Sequence, residues 1–109
     1  LNILKKNNES FIANINSIAG INGGNLESIY SASKFGLRGF SESLQYEVTR
    51  HNIRLTNYSF GGIQSNMTKH RKDFKKLIDP KDAANLIYKN SHQPKTLRVT
   101  ELNISRTNY

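Results

Sequence analysis

Tyr30 and Lys34 stand four residues apart, a spacing that on a helix puts them about one turn apart along one face. A free phenol titrates near ~10, too high for ready proton exchange at neutral pH, but an ammonium held nearby favours the phenolate. Such a pair can work as a general acid or base. Ser17, thirteen residues before Tyr30, offers a hydroxyl able to hold a substrate carbonyl or alkoxide where charge develops. The Gly61-Gly62 turn would let backbone approach a flat ligand without a Cβ in the way. Taken singly each residue has a plain structural explanation: a loop hydroxyl, a packed aromatic, a solvated lysine, an ordinary turn. Their combination is what points to chemistry.

Strands and a helix must position these groups. Residues 1–9 predict a helix tail, and Ser10 to Asn16 has strand-like content. Ser17 to Ser28 carries Gly20, Gly23 and Gly24 with Asn22 and Asn25, a breaker cluster that predicts a loop. Beyond it the apolar residues fall at Ile29, Ala32, Gly36, Phe40, Leu44 and Val48, steps that predict a helix of about five to six turns with one buried stripe. Tyr30 and Lys34 are expected to be rotated away from that stripe. Gly36 and Gly39 cost about 1 kcal/mol each in helix propensity, so a close approach against their face is expected.

Asn52 to Tyr58 predicts a second strand that runs into the turn at Phe60-Gly61-Gly62. Met67, Phe74, Leu77 and Ile78, with Lys69, His70, Arg71, Lys72, Lys75 and Lys76 outward, predict a short basic helix. Asp79-Pro80-Lys81-Asp82 sets a capping Asp before a Pro at the first helical position, opening a helix that stops near Asn90 to Pro94. Thr96 to Ile104 alternates apolar with polar as a half-buried strand does. Strands separated by helices imply a parallel sheet, hence the α/β class. Ligands in such sheets collect beyond the carboxyl ends of the strands, where Ser17 and Gly61-Gly62 fall.

With 109 residues the chain is one domain or part of one. It has no Cys, which excludes disulfides and thiolate metal sites and fits a reducing compartment, so the expected location is cytoplasmic. His51, His70 and His92 have no ligand-like spacing, and no metal is expected. No apolar run approaches the ~20 residues of a membrane span. The start, Leu1-Asn2-Ile3-Leu4-Lys5-Lys6, is neither a signal peptide nor an initiating Met, so the chain is expected to begin within a longer gene product. The net charge is +8, and the run from Lys69 to Lys76 could neutralise phosphates. No nucleic-acid motif or stacking platform accompanies it, so a solvent-facing basic surface is expected rather than a nucleic-acid or membrane partner.

The segments Asn14-Ile-Asn-Ser17-Ile-Ala-Gly20, Tyr30-Ser-Ala-Ser-Lys34 through Leu44, Ile53-Arg-Leu-Thr-Asn57 and Gly61-Gly-Ile-Gln-Ser-Asn-Met67 together closely resemble the short-chain dehydrogenases/reductases. The resemblance covers nearly the whole chain. It implies the C-terminal half of a Rossmann-like, doubly wound parallel sheet of about three strands with crossover helices. It also implies an NAD(P)-dependent oxidoreductase interconverting an alcohol and a carbonyl, with NAD or NADP as cofactor and a small-molecule substrate. By position, Ser17 matches the serine that orients the carbonyl and Tyr30 the acid/base tyrosine. Lys34 matches the lysine that assists the tyrosine and hydrogen-bonds the nicotinamide ribose. Gly61, Gly62, Ile63 and Ser65 match the segment that holds the nicotinamide ring. The Gly36 and Gly39 face resembles the helix surface through which family members pair, which implies a homo-oligomer through residues 29–49. The stretch containing Lys69 to Lys76 corresponds to the variable lid over the substrate, and the tail Val99 to Asn108 looks like that of members oxidising small hydroxy acids.

Two departures stand out: Phe60 replaces the family's Pro before the glycine, and Asn16 replaces a second Ser. The family's dinucleotide fingerprint and its Asn-bearing fourth helix have no counterpart in residues 1–109. The Gly20 to Gly24 near match leads straight to Tyr30 and lacks the third glycine. Residues 1–109 are therefore expected to be the catalytic half without the dinucleotide-binding half, and inactive alone. The rival expectation is an inactive fragment or pseudoenzyme serving as an interaction or dimerisation module. Half a sheet is also expected to leave a bare strand edge at the Phe11 strand.

Overall fold

The computed structural model describes residues 1–7, 9–18 and 26–107. In chain order these form α1 (Asn2–Lys5), β1 (Ser10–Ser17), α2 (Ser28–Thr49), β2 (Ile53–Phe60), a 3₁₀ turn (Phe74–Lys76), α3 (Pro80–Ser91) and β3 (Glu101–Ile104). The three strands make one sheet in the order β1-β2-β3, and both pairings are parallel. This is the expected α/β architecture. β1 pairs with β2 from Ser10↔Ile53 to Ser17↔Phe60, and among the described residues its other edge is bare.

Alternation along β2 divides the core. Ile53 and Leu55 point to one face, where they join Val48 of α2 with Leu4, Ile12 and Leu44 around them. Tyr58 and Phe60 point to the other, against Ala83, Leu86 and Ile87 of α3, with their rings stacked at 6.1 Å between centroids. Asn90 of α3 donates to the Tyr58 hydroxyl at 2.7 Å. Burial pushes the Tyr58 phenol up, opposed by that hydrogen bond.

The ends of α3 follow local rules. Asp79 accepts the backbone N–H of Lys81 at 2.8 Å, and Pro80 occupies the first turn. At the far end Arg54 of β2 donates to the carbonyls of Ser91 (3.0 Å) and Gln93 (2.9 Å), satisfying acceptors that the helix leaves open. Asn52 takes a left-handed conformation, φ 57°, in the tight connection from α2 to β2.

Several expectations need correction. The buried side of α2 is not the Ile29, Ala32, Gly36, Phe40, Leu44 stripe: Ile29 is 86% exposed and Phe40 58%. Only its C-terminal end, Leu44 and Val48, packs on the core. The fully buried residues of α2 are Ser31, Ser41 and Val48, on a row that also carries half-buried Lys34, Arg38 and Gln45. The reason lies in the strands, which present Asn14, Asn16 and Asn57 to this helix. Asn14 Nδ2 donates to Ser41 Oγ at 2.6 Å, and Arg38 pairs with Glu101 at 2.9 Å. A polar interface has selected the polar row, so Lys34 lies on the sheet side of the helix. Among the described residues nothing lies within 4 Å of a Cβ built at Gly36 or Gly39, so they make no close approach to that face.

The basic stretch is not a helix either. Thr68 accepts the Ser65 N–H at 3.0 Å and donates to the Ile63 carbonyl at 2.6 Å, closing local turns. Only Phe74–Lys76 is helical, as a 3₁₀ turn, and Met67 is 71% exposed. Finally, the strand expected over Thr96 to Ile104 pairs only from Glu101. Before that point, Thr56 Oγ1 donates to the Val99 carbonyl at 2.6 Å, so a side chain stands where a ladder would run.

Candidate active site

Ser17 ends β1 and lies in register with Phe60, the last residue of β2, so it and the glycine turn that follows Phe60 share the carboxyl edge of the sheet. The expected loop from Ser17 to Ser28, with the Gly20 to Gly24 near match, lies largely outside the described residues. Helix α2 begins at Ser28, which makes Tyr30 and Lys34 first- and second-turn residues at that same edge. Lys34 Nζ sits 5.6 Å from the centre of the Tyr30 ring, within the range of a cation–π contact. The ammonium thus meets the phenol over its ring face. Tyr30 is 38% exposed, open to a ligand from solvent.

Asn16 connects strand and helix. Its side chain is buried, its Nδ2 donates to the Lys34 carbonyl at 3.1 Å, and its Oδ1 accepts the Ser17 N–H at 2.8 Å. Asn57 Oδ1 lies 3.4 Å from the same Nδ2. One amide therefore sets the backbone of Ser17 and Lys34 relative to each other. The sequence marks Asn16 only as a departure from the family's Ser; the signal for this linking role is the polar alternation Asn14, Asn16 with Asn57 in the neighbouring strand.

The segment after β2 is stitched on both sides. The Gly61 N–H donates to the Ile104 carbonyl at 2.8 Å, the Ile78 N–H to the Gly62 carbonyl at 3.0 Å, and the Gln64 N–H to the Ile78 carbonyl at 2.9 Å. Ile63 bridges Ile78. A Cβ at Gly62 would lie 2.9 Å from Arg71 Nη1 and 3.0 Å from Leu77 Cδ2, whereas one at Gly61 would make ordinary contacts from 3.4 Å outward. A side chain at 62 would therefore make the ends of Arg71 and Leu77 give way. Ser65 is exposed and turned into its local hydrogen bond with Thr68.

These groups suit the nicotinamide-ribose end of a dinucleotide: a glycine pair at a strand end, with a hydroxyl, a phenol and an ammonium at the same edge. Among the described residues no group of three or more His, Asp or Glu could hold a metal, and no helix is long and apolar enough to cross a membrane.

The parallel sheet with helices on both faces makes this an α/β protein, with Ser17, Tyr30 and Lys34 at the carboxyl edge of the sheet. The family profile for short chain dehydrogenase matches residues 1–76, and the chain belongs to that family. A 3-oxoacyl-[acyl-carrier-protein] reductase from Mus musculus is 48% identical over 69 residues, covering 62% of this chain and 29% of the relative. A 4-hydroxyisoleucine dehydrogenase solved with NADH superposes with TM-score 0.71 at 27% identity, over 88% of this chain and 44% of the other. A serine dehydrogenase solved with NADP+ shares the fold with TM-score 0.83 at 22% identity, over 95% of this chain and 47% of the other. The chain thus spans less than half the length of the proteins it matches.

Proposed function

We propose that this chain is the acid/base half of an NAD(P)-dependent oxidoreductase that interconverts an alcohol and a carbonyl by hydride transfer. The observation that carries the reading is the Tyr30–Lys34 pair at the start of α2, tied through Asn16 to the strand end that bears Ser17. The reductase and dehydrogenase names of the relatives and neighbours support it, as do the NADH and NADP+ bound by the solved ones.

In this reading Ser17 Oγ holds the substrate oxygen and Tyr30 gives or takes the proton at that atom. Lys34, beside the Tyr30 ring, would hold the ribose of a bound dinucleotide, and Gly61, Gly62, Ile63 and Ser65 would hold its nicotinamide. The dinucleotide, NAD or NADP, supplies or accepts the hydride, and the protein aligns it. The Gly20 to Gly24 stretch lacks the third glycine of a dinucleotide fingerprint, and residues 1–109 alone are expected to show no turnover. A cytoplasmic location belongs to this reading, and the lack of Cys is compatible with it.

The test uses the polypeptide expressed with any in-frame sequence upstream of Leu1. Deuteride should pass from labelled NADH or NADPH to the carbonyl carbon of a reduced substrate, read by mass spectrometry. Reduction without label transfer would refute the reading. A second reading, an inactive module that pairs through residues 29–49, is favoured by the exposure of Ile29, Phe35, Phe40 and Tyr46. It predicts oligomers that dinucleotides leave unchanged.

A further inference from the structure

A cluster of cations lies at the amino edge of the sheet, opposite Ser17 and the glycine turn. Arg54 is the second residue of β2, Glu9 stands just before β1, and Lys95 and Arg98 precede β3. Arg54, Lys95 and Arg98 line one cavity of about 290 Å³, with Glu9 in its wall. Arg54 comes six residues before Phe60, about 20 Å along the strand, so this cavity is separate from the candidate active site.

The charges in this wall do not cancel. Arg54 donates Nη1 to the Gln93 carbonyl at 2.9 Å and Nη2 to the Ser91 carbonyl at 3.0 Å, and Arg98 donates Nη1 to Thr49 Oγ1 at 2.7 Å. All these acceptors are neutral, and neither guanidinium meets a carboxylate among the described residues. The one acid of the lining, Glu9, lies 3.5 Å from Lys95 in an exposed pair, which holds neither side chain firmly. Three cations against one carboxylate leave two positive charges over. Arg98 also keeps a donor edge in reserve. Arg38 meets Glu101 through Nε and Nη2, and Arg71 meets Asp73 through the same two atoms. In Arg98 only Nη1 is engaged, and Nε and Nη2 have no partner among the described residues.

We propose that this cavity is a second binding site, taking the phosphate dianion of a small phosphorylated molecule. A phosphate monoester carries about −1.5 to −2 charges at neutral pH and offers strong acceptor oxygens, which matches the surplus of two and the paired donors of Arg98. A monocarboxylate leaves one charge over. The volume stands at the lower end of small-molecule pockets, room for a phosphate on a few carbons rather than a dinucleotide. The tethers on Arg54 and Arg98 hold their guanidiniums in place before the ligand arrives. Binding here does not depend on the oxidoreductase reading.

Isothermal titration calorimetry at constant ionic strength tests the site, on the polypeptide expressed with any in-frame sequence upstream of Leu1. The probes are glycerol 3-phosphate, inorganic phosphate and acetate. Glycerol 3-phosphate should bind saturably, and acetate more weakly. Arg98→Gln should weaken glycerol 3-phosphate about tenfold or more, as a lost charge-assisted pair requires, whereas Lys75→Gln, which removes a charge elsewhere, should leave its affinity unchanged. Glu9→Gln, which takes the carboxylate out of the wall, should tighten binding, a direction that a poorly folded variant does not produce. Equal affinity for inorganic phosphate names the free anion as occupant and tighter glycerol 3-phosphate names a monoester; both uphold the site. No saturable binding, acetate bound as tightly as the phosphates, affinity that Arg98→Gln leaves unchanged, or equal losses in Arg98→Gln and Lys75→Gln would each overturn the proposal.

Discussion

Asn16 and Lys34 are joined by a hydrogen bond of 3.1 Å from the side-chain amide to the backbone carbonyl, and this bond ties the start of α2 to the end of β1. The asparagine also accepts the N–H of Ser17 at 2.8 Å. Replacing it by leucine of similar size removes both bonds and leaves the buried Asn57 Oδ1 without the Asn16 amide. Asn16→Leu should lower the unfolding free energy by about 1–3 kcal/mol, the usual cost of unsatisfied buried polar groups, as measured by urea denaturation. Asn16→Ser, the residue usual in the resembling family, keeps one hydroxyl too short to reach both partners and should fall between the two.

Asp73 titrates at about 2 rather than 3.8, held down first by its hydrogen bonds with Arg71 and then by those with Arg106. Its native value lies below its unfolded one, so the carboxylate contributes stability above pH 3.8 that is lost as pH falls through about 2. Asp73→Asn should therefore be less stable than the parent at pH 6, with the gap closing toward pH 2. The same stability deficit at both pH values would contradict this account of the ion pairs.

The outward face of α2 carries Ile29, Phe35 and Phe40, all exposed, with open space over Gly36 and Gly39. An exposed apolar face of this kind favours association. Phe40→Glu should shift the sedimentation mass toward monomer while leaving the circular dichroism unchanged. An unchanged oligomer would place the association surface elsewhere.

Much of the fold was legible because it follows local rules. The Asp79-Pro80 start of α3, the breaker at Phe60-Gly61-Gly62 and the parallel order of strands and helices all depend on near neighbours in sequence. The orientation of α2 does not. Hydropathy turns a helix by its apolar residues, whereas this one turns toward three asparagines supplied by two strands distant in sequence. The basic stretch was misread for a related reason: its spacing suits a helix, but the Thr68 hydroxyl takes hydrogen bonds that helical turns would need. The Ser17, Tyr30 and Lys34 set was legible as a pattern of residue types. The contacts of Asn16 and of the Arg71–Asp73–Arg106 cluster were not, since Asn16 meets Asn57 41 residues away and Asp73 meets Arg106 33 residues away.

The most direct test of the central claim is carbonyl-dependent oxidation of NADH or NADPH by the polypeptide expressed with any in-frame sequence upstream of Leu1, compared with its Tyr30→Phe variant. Loss of a positioned general acid should cut turnover by about 10²–10⁴-fold in a protein that still folds and binds dinucleotide. Turnover that survives Tyr30→Phe undiminished would contradict the assignment of this chain as the acid/base half of an oxidoreductase.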